Sequence, residues 1–303
     1  MELRHLRYFV AVAEEGHVTR AADRLGIQQP PLSLQIKALE REVGALLFRR
    51  KPRGMELTAA GRAFLTDAQA ILTHVDHAFA ITRRTARGEE GRIAIGFTSS
   101  APFHPFVPRV IRAFRETFPL VALTLEESGT GELTDAVRAE RLDAVFIRSS
   151  AADLSALTVH FLLEEEMMAA LPAAHPLAAR SDTARPIDIA ALAKEPFVLY
   201  RRPAGPGFYD AIIGACRDAG FNPAVAQEAP RILSTLNLVA AGLGVSIVPA
   251  SLQRMQMDGV VYRRLKTVRK LVAPLSLAVR KTEPSPAVRR FVDLARKTAK
   301  ASR

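Results

Sequence analysis

Along the first sixty residues, apolar positions recur at helical spacing and are interrupted by single glycines. Leu3, Leu6, Phe9, Val10 and Ala13 step by threes and fours, which predicts an amphipathic helix ending near Gly16. Ala21, Ala22 and Leu25 predict a second, shorter helix with Thr19 near its start; Gly26 then marks a turn and Ile27 an apolar plug behind it. Leu32, Ile36, Leu39 and Val43 form the buried stripe of a third helix that opens at Gln28-Gln29-Pro30-Pro31. Proline is tolerated there because first-turn N–H groups have no intrahelical partner. Two helices joined by a glycine turn, the second presenting Gln29, Ser33, Gln35 and Lys37 outward, match a helix-turn-helix. Glutamine and serine can bond base edges and lysine can neutralise phosphate. A three-helix bundle with a polar outer face would carry the same pattern.

After Gly44, Leu46-Leu47-Phe48 predicts a strand, Arg49-Arg50-Lys51-Pro52-Arg53-Gly54 a basic turn and Met55-Glu56-Leu57-Thr58 a return strand. This is a β-hairpin wing whose tip suits backbone phosphates. A long helix follows to about Arg87. Its positions Phe64, Ala68, Ile71, Val75, Ala78 and Thr82 form an a/d seam able to pair with a second copy. The same face could instead pack on the chain's own body. Gly88-Glu89-Glu90-Gly91 reads as a polar hinge.

From Arg92 the pattern changes to alternating strands and helices. Strands are expected at 92–97, 121–127, 142–148, 166–171, 197–200, 224–227 and 245–248, and helices at 105–118, 131–139, 207–219 and 231–241. That order implies doubly wound α/β units, two of which fit the length, with ligands bound outside the carboxyl ends of the strands. The first strand ends in Thr98-Ser99-Ser100, the second in Ser128-Gly129-Thr130-Gly131 and the third in Arg148. Hydroxyls and free N–H groups at helix N-termini bind anions, and a guanidinium can grip a carboxylate through two bonds. Ser and Thr as plain helix caps, and Arg148 as half of an ion pair, are the structural alternatives. The segment from Pro203 to Tyr209 lies at the corresponding edge of the second unit; Phe208 there either covers a flat ligand or is a core residue.

Composition narrows the picture. The chain of 303 residues has 49% hydrophobic and 24% charged residues and net charge +11. That charge resides from Arg254 onward, with 14 Lys/Arg against 3 Asp/Glu, so residues 1–253 balance and overall basicity does not locate a DNA site. The basic C-terminal stretch reads as a solvated helix face. One cysteine, Cys216, excludes a disulfide framework and a cysteine metal cluster and reads as a small buried side chain; the seven histidines show no metal-ligand spacing. We expect no metal and no cofactor. No apolar run reaches the roughly 20 residues that span a bilayer, and no secretory pattern opens the chain, so a cytoplasmic location without membrane contact is expected. With no G-x-S-x-G, no P-loop and no forced Ser/His/Asp or paired-carboxylate arrangement, an enzyme is not expected. A solute-binding protein fits the C-terminal body but not the N-terminal unit.

Four motifs then carry a resemblance: Leu6-Arg7-Tyr8-Phe9-Val10-Ala11-Val12-Ala13-Glu14, Ala21-Ala22-Asp23-Arg24-Leu25, Gln29-Pro30-Pro31-Leu32-Ser33 and Glu56-Leu57-Thr58-Ala59-Ala60-Gly61. In this order and spacing the chain resembles the LysR-type transcriptional regulators over nearly its whole length. Asp143-Ala144-Val145-Phe146-Ile147-Arg148, Gly129-Thr130, His175-Pro176-Leu177 and the stretch from Leu238 to Pro249 are similar to the branch that controls aromatic and chloroaromatic degradation. The resemblance implies an all-α winged helix-turn-helix over 1–58, a dimerising linker helix over 59–88 and an α/β effector domain over 92–303. That domain would be two-lobed like periplasmic binding proteins, lobe I near 92–163 and 268–303 and lobe II near 164–267. It further implies a homotetramer on double-stranded promoter DNA that activates transcription, with RNA polymerase as a candidate partner, when a muconate-like or aromatic carboxylate occupies the cleft. By the same resemblance Gln29, Pro30, Pro31, Ser33, Arg50 and Arg53 contact DNA, joined by Thr19, Arg20 and Lys37. Ser99 or Ser100, Thr130 and Arg148 contact the effector, with Phe208 over it. One departure stands out: relatives often carry a polar residue, commonly arginine, where this chain has Leu34. A leucine can meet a thymine methyl instead.

Overall fold

A computed structural model describes residues 1–52, 54–148, 157–178, 185–202, 206–282 and 284–301. Arg53 and Pro203 therefore lie outside the described residues. The chain divides into two compact units, Met1–Arg84 and Thr85–Arg303.

In the first unit, α1 (Leu3–Glu15), α2 (Val18–Leu25) and α3 (Gln29–Val43) each end on a glycine in the left-handed conformation: Gly16, Gly26 and Gly44. At these positions a helix must reverse, and glycine does so without a Cβ clash. Leu6, Phe9, Val12, Leu32, Ile36 and Leu39 are buried together, with Ile27 packed against them. Val43, expected on the same stripe, is 39% exposed because α3 runs past the edge of this small core. The wing pairs β1 (Phe48–Lys51) with β2 (Gly54–Leu57) antiparallel, Lys51 opposite Gly54. Arg49, Arg50 and Lys51 thus belong to the strand and not to the turn, which shortens the expected basic tip. Glu40 holds the wing to α3 by accepting from the N–H groups of Leu47 (2.8 Å) and Phe48 (3.1 Å).

The helix α4 (Ala59–Ala86) starts under the wing, where Thr58 accepts from the Gly61 N–H at 2.9 Å. Gly61 is required there, because a Cβ would overlap the Leu47 carbonyl. The first turns of α4 complete the head core: Ala68 is buried, and the Phe64 ring sits edge-on to Phe9 at 5.1 Å.

The second unit contains β3 (Glu90–Phe97), α5 (Phe106–Thr117), β4 (Leu120–Glu127), α6 (Thr130–Arg138), β5 (Ala144–Ile147), β6 (Leu157–Pro172), β7 (Ile187–Asp188), β8 (Pro196–Tyr200), α7 (Pro206–Asp218), β9 (Ala224–Ala229), α8 (Ile232–Ala240), β10 (Ser246–Pro249), β11 (Val260–Lys266), β12 (Val272–Arg280) and α9 (Pro286–Lys300). Strands β4, β3 and β5 are parallel, as expected of wound α/β units, but β12 and β6 join antiparallel. The result is one mixed sheet of order β4-β3-β5-β12-β6-β11-β7, with β10 also on β6. Strand β6 is sixteen residues long, not the expected six. Its first half pairs with β12 and its second half with β10 and β11. It threads two lobes with separate cores, one around Phe106, Phe114, Phe146 and Phe291, the other around Phe197, Leu199, Ile212 and Val245.

The basic C-terminal stretch is a correction. It contributes β11, β12 and α9, and Leu275, Leu277, Phe291 and Ala295 are fully buried. Arginines alternate with core residues here, so composition hides the buried faces. Cys216 is buried among apolar side chains, and burial pushes its thiol up to about 11.

Candidate DNA-reading surface and effector cleft

Pro30 and Pro31 open α3 at its first positions, leaving Gln29, Ser33 and Lys37 one turn apart. Gln29 Nε2 donates to Ser33 Oγ at 2.9 Å. Thr19, Gln29, Ser33, Lys37 and Arg50 line one surface groove between α3 and the wing. Arg49 and Lys51 both engage Glu56 (2.9 and 3.0 Å) and hold its carboxyl far below the usual range, at about 2, while Arg50 lines the groove with Lys51 next to it. Arg20 is exposed, donates to the Glu15 carbonyl at the end of α1 and is not among the groove's lining residues.

In the second unit, six strand-end or helix-start positions converge. Thr98, Ser99 and Ser100 follow β3; Thr130 opens α6; Arg148 follows β5; Tyr200 ends β8; Phe208 sits in α7; and Ile232 opens α8. All of them line one cavity. Ser99, Ser100, Thr130, Arg148 and Phe208 are thus brought together as expected. Tyr200 and Ile232 were missed, although applying the strand-end rule to the second lobe would have found Tyr200. Ser99 Oγ shares a 3.3 Å hydrogen bond with Tyr200 Oη and accepts from the Ile232 N–H at 3.4 Å, bridging the lobes. Arg231 and Glu127 form an ion pair at the mouth. In this closed arrangement the cavity holds about 10 Å³, room for no more than roughly one water.

Arg148 is half of an ion pair, the structural alternative that the sequence left open for it. Its Nη2 lies 2.6 Å from Glu165 Oε1, with side-chain exposures of 3% and 9%. Burial lowers the Arg148 pKa, and Glu165 pulls it back up. Glu165 also accepts from Ser251 N (2.7 Å) and Oγ (3.1 Å). The Arg148 Nη atoms additionally approach the Ser100 and Ala273 carbonyls, and the guanidinium carbon lies 6.0 Å from the Phe208 ring centre. Two buried polar atoms lack any hydrogen-bond partner here: Arg148 Nε and Thr98 Oγ1. Desolvated donors left unpaired are costly, and such groups call for an explanation. Among the described residues no group of three or more His, Cys, Asp or Glu is arranged to hold a metal. Nor, among them, is any helix long and apolar enough to cross a membrane.

The profile of the bacterial regulatory helix-turn-helix protein, lysR family, matches residues 3–62, and that of the LysR substrate binding domain matches residues 86–300. The chain belongs to the LysR family. It is 46% identical over 258 residues to the uncharacterized HTH-type transcriptional regulator YnfL of Escherichia coli (strain K12), covering 85% of each chain. Full-length CbnR in complex with its target DNA superposes with a TM-score of 0.82 at 30% identity, covering 99% of this chain and 100% of that one. The BenM effector binding domain with its effector benzoate superposes with a TM-score of 0.61 at 31% identity, over 70% of this chain and 94% of that one. The protein is therefore a ligand-responsive, DNA-binding LysR regulator and not an enzyme.

Proposed function

We propose that this LysR regulator is a cytoplasmic activator of genes for aromatic-compound breakdown, and that its inducer is a small carboxylate, muconate-like or an aromatic acid, held in the cavity. The observation that carries this is the pair of unpartnered buried donors, Arg148 Nε and Thr98 Oγ1, in a cavity whose other walls offer Ser99, Ser100 and Thr130. The Arg148–Glu165 pair is neutral overall, so an added carboxylate needs further positive potential. The N-termini of α6 and α8 supply it, each equivalent to about half a charge. Phe208 caps the occupant, and Ser99 gives up Tyr200 and Ile232 to receive it. The likeness to BenM's domain with benzoate supports the ligand class.

In the head, Gln29, Ser33, Lys37, Thr19 and Arg50 form the operator face, with Pro30 and Pro31 setting the α3 entry; Arg20 and Arg53 serve phosphates beside it. Two heads pair through α4, two dimers form a tetramer, and RNA polymerase is the partner that activation requires. DNase I footprinting of the full-length protein on DNA upstream of its own gene tests the reading. Benzoate or cis,cis-muconate should change the footprint of the wild type and leave that of Thr130→Val unchanged. The absence of any footprint, or a change that persists in Thr130→Val, contradicts it.

A second reading keeps the same cavity in a regulator of an unrelated pathway: a short-chain acid would require less opening of the cavity than benzoate does. Acetate or propionate would then change the footprint where benzoate does not.

A further inference from the structure

Resting on the reading of α3 as the operator helix, we infer that Leu34 is a sequence-specificity residue that recognises the C5-methyl group of one thymine in each half-site. Leu34 is 65% exposed, while Leu32, Ile36 and Leu39 on the same helix are almost fully buried. At about 100° per residue, Leu34 points about 170° away from the mean direction of those three, at the centre of the outward face. Lys37 and Arg41, three and seven residues on, share that face, about 60° and 20° to one side of it, and all three line one shallow surface depression. Lys37 also borders the groove that holds Gln29 and Ser33, so the two surfaces are continuous. The remaining acidic group in the depression, Glu40, spends its carboxylate on the Leu47 and Phe48 N–H groups.

The head core therefore gains little from Leu34, and a helix entering the major groove with Ser33 and Lys37 toward the bases would carry this apolar side chain beside them, about 60° round the helix from Lys37. Of the four bases, thymine alone presents an apolar group in that groove, its C5-methyl, whereas the others offer hydrogen-bonding atoms there. Lys37 and Arg41, farther along the helix on the same side, would meet phosphates and set the depth without choosing a base. Gln29 and Ser33 read donors and acceptors; Leu34 reads shape and hydrophobicity at a position they do not reach.

The test starts by selecting duplexes from a randomised pool with the full-length wild-type protein. Each thymine of the selected duplex is then replaced singly by uracil, which removes only the methyl group. For the wild type, one thymine per half-site should show a loss of affinity of about threefold to tenfold, the size expected for withdrawing one buried methyl. Leu34→Ala should bind the thymine and uracil duplexes equally, with an unchanged melting temperature because the side chain is exposed. Leu34→Gln should lose the thymine preference and shift selection at that one position. A wild type indifferent to every replacement overturns the inference while leaving the operator helix standing. So does a Leu34→Ala that still distinguishes thymine from uracil. A pool that yields no duplex at all removes the operator-helix reading itself, and the role of Leu34 with it.

Discussion

Arg148 and Glu165 are both buried and both charged, and each solves the other's problem. A buried pair of this kind adds little net stability relative to apolar residues, but removing one partner strands the other. Arg148→Ala leaves Glu165 with only the Ser251 donors. We expect it to destabilise the second unit by about 3–5 kcal/mol in urea unfolding. Arg148→Met combined with Glu165→Gln keeps an acceptor for Ser251 and removes the stranded charge, so it should recover at least half of that loss. Equal destabilisation by both variants would contradict this account of the pair. The consequence for function is direct: an uninducible Arg148→Ala reports a damaged fold, and the hydroxyl residues are the sounder probes of binding. Arg148, Ser99, Ser100 and Thr130 were legible because strand ends in α/β sheets face ligands. Glu165 was not. It sits between Glu164, which pairs with Lys270 at 2.9 Å, and Glu166, which pairs with Arg264 at 3.6 Å, and a run of three carboxylates reads as a solvated face. Alternation does put residue 165 on the face opposite its neighbours, but nothing local says that this face is the buried one.

Among the elements, α4 shows how far periodicity carries. The seam from Phe64 to Thr82 divides in two: Phe64 and Ala68 belong to the head core, whereas Ile71 is 40% exposed and Ala78 and Thr82 are exposed. Phe79, 57% exposed and one position off the seam, enlarges the apolar face that remains. Exposed aromatic and aliphatic side chains on one long helix are what a pairing surface requires. The double variant Ile71→Asp/Phe79→Asp should sediment as a monomer with its helical circular dichroism retained; an undiminished dimer would refute pairing through this face. The helices of the head were readable because each ends on a glycine that must adopt a positive φ. The wing was readable in outline only, since Arg49 and Lys51 engage Glu56 across the hairpin while Arg50 and Lys51 both border the groove. β12 and α9 were lost in the basic C-terminal stretch. β12 lies between β5 and β6 and is buried on both faces, so it lacks the polar alternation that marks a half-exposed strand.

At the scale of the molecule, the first unit carries +4 of the net charge and the second +7, and the most basic stretch is the one that supplies β11, β12 and α9. Arg263 illustrates why: it is 1% exposed and donates to the Leu177 and Arg185 carbonyls, so it holds a loop and not a nucleic acid. On the proposed function, the reading head works through placement of a few polar groups, and the response through the cavity that Ser99, Tyr200 and Ile232 line. The most direct test of that cavity is titration calorimetry of the full-length protein with benzoate and with cis,cis-muconate. The account predicts saturable binding of at least one of them by the wild type. It also predicts affinity weaker by about tenfold or more in both Ser99→Ala and Thr130→Val, the effect of losing one hydrogen bond to a charged group. Binding that both variants retain at wild-type strength, or no binding of either acid by the wild type, would contradict it.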